Sequence, residues 1–300
     1  MSLFNRVLNL SIETAAGETV LLFDESFKIS FSVFKNSSSN PNSATIKIYN
    51  LSINTKNVLK DVFKKNQQLS DDEKPPLHIY LSAGYGDDVG ATLIFSGNIT
   101  DVYTMYQEPD YITNISCYDG GVTLRDTFLN IAYQNGIDSN VIIKQIANAM
   151  KTSIDSASVY LDKNFKLANG ISLSGKAKDL MDNITQRGGL QWTIENNKIR
   201  IAPQGLATNE PAIVLASDTG LIGSPQRLQT AGFDAMNTNV VDEYKCKTLL
   251  LTGVAIFRLV EFRTKDVTGF YAIRSAQHTG DTYGSAWTTD LDVIDPKFLV

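Results

Sequence analysis

Cysteine and histidine are almost absent from this chain, with two of each in 300 residues. Cys117 and Cys246 stand far apart and fit no metal-ligand spacing. Neither a disulfide framework nor a zinc site is expected, and both read as small core residues. Serine and cysteine nucleophiles need a histidine base, and only His78 and His278 can supply one. Long apolar runs are lacking as well. The stretch LLLTGVAIF, Leu249 to Phe257, is nine residues, whereas a spanning helix needs roughly 20. Membrane insertion as a monomer is therefore not expected. The opening MSLFNRVLNLSIET has no long apolar segment or small-residue cleavage site, so synthesis in the cytoplasm is the expectation. Charge of one sign is also missing: 27 basic and 32 acidic residues leave a net charge of -5, which gives no overall attraction to nucleic acid or an anionic membrane.

What is present is ordinary globular material. Hydrophobic residues make up 43% and charged residues 20% of the chain, enough for two or three domains with their own cores. From Leu3 to Tyr49 the pattern alternates: Phe27, Ile29, Phe31 and Val33, then Ile46 and Ile48, face away from polar neighbours, with Gly17 at a turn. The loop Asn36 to Ser43, NSSSNPNS, has no apolar anchor and is expected as a mobile tip or a segment ordered by a partner. Asn54 or Thr55 is placed to cap a helix with Val58, Leu59, Val62 and Phe63 inside and Lys56, Lys60, Lys64 and Lys65 as a solvated face. In the strand Leu77 to Ala83, His78 alternates with Ile79 and Leu81, on an outer sheet face. Strands Thr92 to Phe95, Gly97 to Met105 and Tyr111 to Tyr118 follow, then a short helical segment, Val122 to Ile131. This first half is expected to be an antiparallel barrel or sandwich with an inserted helix.

The best-patterned stretch is Asp138 to Pro203. DSNVIIKQIANAM puts Ile142, Ile143, Ile146, Ala147 and Met150 on one helical face behind Asp138 or Ser139 as cap. SGKAKDLMDNITQRGG does the same with Ala177, Leu180, Met181 and Ile184, with Ser174 as cap and Gly188 or Gly189 ending it. Leu190, Trp192 and Ile194 then alternate toward the turn pair Asn196-Asn197, and Ile199 and Ile201 return. The rest reads as β: Ala212 to Leu215, Gly220 to Pro225, Val240 to Phe257 with a bulge or turn at Thr252-Gly253, and a strand Gly269 to Ala276. A loop from His278 to Ser285 and a final strand Ala286 to Ile294 complete it.

Sites of known chemistry do not assemble from these residues. Gly84, Gly86 and Gly90 miss the dinucleotide fingerprint and are followed by a strand, and Asp87-Asp88 offers too few oxygens for calcium. His278, Asp281 and Ser285 have the residue types of an acid-base site, but all fall in one short turn where such side chains bond the backbone. The lysine helix lacks the interleaved aromatics of a single-strand binder, offering only Phe63 on its inner face. No catalytic, cofactor or metal residue is assigned, and no enzyme is expected. Two alternatives stay open: a cell-wall or capsule hydrolase resting on a carboxylate pair or on His278, and a carbohydrate-binding β module using Tyr85, Tyr103 and Tyr106.

Three stretches taken together resemble the tail-hub proteins of contractile-tailed bacteriophages, the late-control-D-like family related to the hub part of type VI secretion spikes. They are LIFSGNITDVYTMY leading to ISCYDGGVTLRD; NVIIKQIANAM with GISLSGKAKDLMDNITQRGGLQWTIENNKIRIAPQG; and GLIGSPQ with GFYAIRSAQHTGDTYGSAWTTDLDVI. The region Thr230 to Lys247 departs from the family's Leu-Asn-Pro type of segment. The resemblance implies an α+β, mainly β chain: a β-barrel domain at 1–136 with an inserted helix, an α/β module at 137–205, and a second β-barrel domain at 206–300. It further implies a structural baseplate hub of the virion, assembled in the host cytoplasm. There a homotrimer would join the hexameric tail tube to the trimeric central spike, with the tape measure protein as a further candidate partner, DNA only in transit through the lumen, and no cofactor.

Overall fold

The computed structural model describes residues 5–13, 19–68, 77–120, 127–158, 166–167, 169–230 and 241–298. They form a chain dominated by antiparallel strands with three helices, so the α+β, mainly β expectation holds.

The first half runs β1 (Arg6–Glu13), β2 (Thr19–Asp24), β3 (Ile29–Asn36), β4 (Ser43–Tyr49), α1 (Ile53–Gln68), β5 (His78–Tyr85), β6 (Gly90–Gln107) and β7 (Asp110–Tyr118). Period-two alternation puts one face of each strand inward: Leu8, Leu10, Ile12, Ile29, Val33, Ile46, Ile48, Ile79 and Leu81 are buried in one core. The last part runs β13 (Ile213–Leu215), β14 (Leu221–Thr230), β15 (Val241–Leu249), β16 (Leu259–Arg263), β17 (Thr268–Asp281) and β18 (Trp287–Ile294), around a second core with Phe257, Val260, Phe262, Ile273 and Leu291. The two halves share one sheet. Its order is β14-β15-β18-β17-β3-β4-β7-β6-β5-β1-β2, joined where β17 pairs with β3. Among the described residues no pairing closes either half into a ring.

Between them lies the α/β stretch: β8 (Phe128–Tyr133), α2 (Ser139–Ala149), β9 (Ser153–Ile154), β10 (Ile171–Lys176), α3 (Ala177–Arg187), β11 (Leu190–Glu195) and β12 (Lys198–Pro203). The expected stripes meet in a third core: Ile142, Ile143 and Ile146 of α2 against Leu180, Met181 and Ile184 of α3, over Trp192, Ile194, Ile199 and Ile201. Asp138 caps α2 by accepting the Asn140 N–H, and Gly189, at φ 64°, supplies the left-handed residue after α3. Asn196 and Asn197, at φ 53° and 60°, make the tight turn.

Several local expectations are corrected. Residues 122–126 of the expected helix Val122 to Ile131 lie outside the described residues, and Phe128–Tyr133 is a strand paired with β10. A six-residue apolar run suits either period, and here the facing strand decides it. Ser174 is not a cap but a β10 residue opposite Asn130. α3 begins at Ala177, whose N–H is met by the Thr127 carbonyl at 2.9 Å, so a side-chain cap is not required there. For α1 the cap is Ser52, whose hydroxyl accepts the Thr55 N–H at 3.1 Å, rather than Asn54 or Thr55. The two expected strands Thr92 to Phe95 and Gly97 to Met105 are one, β6, with register shifts where bulges absorb extra residues. Gly17 and 231–240 of the departing region lie outside the described residues, while Val241–Leu249 forms β15. The expected turn at Gly253 is present, at φ 71°.

Candidate functional site

The three cores meet at the end of the β11–β12 hairpin. Glu195, the last residue of β11, is buried, and its carboxylate takes Lys35 Nζ of β3 at 2.6 Å and the Ile256 N–H at 3.1 Å. Lys35 also donates to the Val254 carbonyl at 3.3 Å. One charged pair thus ties the first half, the module and the last part together. Arg200 stands 3.8 Å from Glu195 through Nε and donates to Asp155 Oδ2 at 3.1 Å, and it also pairs with Glu210. A buried charge is tolerated when it is paired and its hydrogen bonds are filled, and the Glu195 carboxylate has both.

A second buried carboxylate holds the turn itself. Asp119, after β7, accepts the backbone N–H of Asn197 at 2.9 Å and that of Asn196. Burial raises its pKa to about 7, against the lowering effect of those two donors. The loop Asn36 to Ser43 is docked on the module rather than free. Asn42 Nδ2 donates to the Ile194 carbonyl at 2.7 Å, Ser39 Oγ to Asp182 at 3.3 Å, and Lys178 Nζ to Asn40 at 3.2 Å. Thr193 Oγ1 donates to the Asn36 carbonyl at 3.1 Å. The partner that orders this loop lies in the same chain.

The structure separates the residues weighed for chemistry. His278 is not in a turn. It is a mid-strand residue of β17, 1% exposed, with Nδ1 at 2.9 Å from Thr289 Oγ1. Strand β17 continues past His278 because β18 pairs with it through Gly280 and β3 through Asp281. Burial, with Lys35 nearby, lowers its pKa to about 3. Asp281 instead accepts the Tyr283 and Gly284 N–H groups at 2.9 and 2.7 Å, and the Ser285 carbonyl accepts from Arg6. His78 lies half-buried opposite Asn98, its pKa lowered by burial. Cys117 and Cys246 are buried free thiols, and burial pushes Cys246 up to about 12 and Cys117 higher still. Among the described residues no three His, Cys, Asp or Glu side chains gather as a metal group.

The tyrosines divide. Tyr85 is buried, whereas Tyr103, Tyr106 and Tyr111 are exposed near the free end of the β6–β7 hairpin, beside Met105. Between that hairpin and α1 lies a groove of about 740 Å³, lined by Ile53, Lys56, Lys60, Tyr103 and Tyr111 among others. Lys56 Nζ sits 4.3 Å from the centre of the Tyr111 ring. Nothing in the period of the sequence marks Lys35, Glu195 or Asp119, because each is defined by a partner far along the chain.

The family model for baseplate hub gp41 matches residues 7–234. The chain belongs to the baseplate hub gp41 family. It is a structural baseplate component of a phage tail. A comparison with curated proteins found no match. Among solved structures, the fold is similar to the 43 kDa tail protein of prophage MuSo2 from Shewanella oneidensis, with TM-score 0.65 and 9% identity over 97% of this chain and 98% of that one. A tail protein from Neisseria meningitidis MC58 gives TM-score 0.62 and 10% identity over 97% and 98%. The E. coli c3393 protein, a type VI secretion component with structural similarity to the T4 tail proteins gp27 and gp5, gives 0.55 and 11% over 89% and 73%. Those identities speak to fold alone.

Proposed function

We propose that this hub is a homotrimer serving as a symmetry adapter between the hexameric tail tube and the trimeric central spike, without enzymatic activity. The observation that carries this is the tandem of two β cores on one continuous sheet, joined through the β17–β3 pair. A chain with two β units presents six in a trimer, the count a six-fold tube requires, while keeping three-fold symmetry for a spike. The buried Lys35–Glu195 pair favours this reading, since it fixes the module as a brace between the units rather than as a moving or catalytic part. The segment divisions at 1–136, 137–205 and 206–300, assembly in the host cytoplasm, contact with the tape measure protein and passage of DNA through the lumen belong to the same proposal.

The test is electron cryomicroscopy of the purified chain with light scattering. Three-fold rings with an open centre are the expected outcome. A monomer at every concentration, with no association with tube or spike protein, overturns the adapter reading. For the hydrolase alternative, a zymogram of the wild type and of His278→Ala decides, and clearing of a cell-wall or capsule substrate overturns the non-enzymatic reading.

A further inference from the structure

The groove between α1 and the β6–β7 hairpin is apolar and basic. Tyr103 and Tyr111 form its aromatic wall, Ile53 is 73% exposed at its mouth, and Lys56 and Lys60 bring two positive charges with no carboxylate among its lining residues. An occupant that complements it carries an exposed apolar side chain beside free negative charge. This chain contains such an element. The turn between β5 and β6 is Gly86-Asp87-Asp88-Val89, exposed throughout, with Val89 70% exposed. The carboxylates of Asp87 and Asp88 have no bonded partner among the described residues.

At three other exposed apolar side chains the acidic neighbour is already engaged. Asp24 beside Phe27 is held by Ser26, Asp110 beside Tyr111 by Asn50 and Lys28, and Asp281 beside Tyr283 by two backbone N–H groups. Within one copy the turn and the groove lie toward opposite ends of β6. Val89 precedes β6 and Tyr103 lies near its far end, so about 45 Å of strand separates them at roughly 3.3 Å per residue. We propose that the Asp87-Asp88-Val89 turn of one copy docks in the Lys56/Lys60/Tyr103 groove of the next. Two different surfaces meet in this contact, and such head-to-tail contacts close into rings when the rotation suits. The inference rests on the trimer reading and names the contact that builds it.

The experiment uses the full chain and light scattering over a concentration series. Asp87→Lys/Asp88→Lys and, separately, Lys56→Glu/Lys60→Glu are each expected to raise the dissociation midpoint of the trimer by at least about tenfold, because like charges then face each other. Combining all four substitutions in one chain is expected to restore it. Trimers unchanged by either reversal overturn this contact while leaving the trimer reading intact. Dissociation that the combined variant does not reverse also overturns it. A wild-type chain that is monomeric throughout overturns both readings together. Should a reversed variant melt early, Asp87→Asn/Asp88→Asn is read instead, with weakened association expected and an unchanged midpoint overturning the contact.

Discussion

Lys35 and Glu195 are 160 residues apart in sequence and meet at 2.6 Å with both side chains almost wholly buried. Removing one partner leaves the other charged and unpaired in the interior, which costs about 3–5 kcal/mol. Lys35→Ala is expected to lose an amount of that order in urea unfolding. Lys35→Met combined with Glu195→Gln is expected to lose less than Lys35→Ala alone, because no uncompensated charge stays behind. Equal losses would count against the pair as the tie between the cores.

The docked loop gives a second measurement. Asn42 is 1% exposed, and its amide spans the Ile194 carbonyl at 2.7 Å and the Asn36 N–H at 3.0 Å. Asn42→Ala strands both groups, at about 1–3 kcal/mol for a buried orphan. Limited proteolysis is expected to cut the variant within residues 37–41 well before the wild type. An unchanged cleavage pattern would show that the loop is held by other contacts.

Stability should carry two opposed pH terms. Burial raises the folded pKa of Asp119 from 3.8 to about 7, so its contribution is full below the unfolded value and is lost as pH rises through about 7. Burial lowers His278 from 6.5 to about 3, so its contribution is full above the unfolded value and is lost as pH falls through about 3. The stability of the wild type minus that of Asp119→Asn is expected to fall as pH rises between about 4 and about 7. The same difference for His278→Gln is expected to fall as pH drops below the unfolded histidine value. Urea midpoints across the range check both, and a flat difference removes the corresponding assignment.

The turn pair tests how much of the hairpin is backbone geometry. Asn197 sits at φ 60°, where glycine is free and a β-branched residue is strained by roughly 1–2 kcal/mol. Asn197→Gly is expected to be nearly neutral in thermal unfolding and Asn197→Val clearly destabilising. Equal effects of the two would mean that side-chain bonding, not φ, sets the turn.

These positions also show what a reader of the sequence can and cannot see. Asn196-Asn197, the alternation of Leu190, Trp192 and Ile194, and the stripes of α2 and α3 are local, so periodicity and turn chemistry reveal them. Strand β8 is short and ambiguous until β10 pairs with it. The polar loop NSSSNPNS reads as mobile or partner-ordered because its anchors, Ile194 and Asp182, are more than 140 residues away. His278 reads as a turn residue because Gly280 follows it, whereas that glycine serves interior packing.

Gly280 shows why. It lies on β17 opposite Phe31 of β3 and opposite Trp287 of β18, at the seam where the two halves share their sheet. Phe31 and Trp287 pack edge to face with ring centres 5.6 Å apart, and both are buried. A Cβ on Gly280 would run into the Phe31 ring and stand 3.0 Å from the Trp287 ring. Neither ring has room to retreat, because Phe31 and Trp287 belong to the first core. Gly280→Ala is therefore an overpacking substitution costing about 1–3 kcal/mol, with loss of the edge-to-face pair as part of it. Gly280→Ala/Phe31→Leu makes room for the added methyl and is expected to recover part of that loss. Thermal unfolding of the two variants decides the point: a double variant no more stable than Gly280→Ala would mean that the glycine is needed for its backbone and not for the space it leaves.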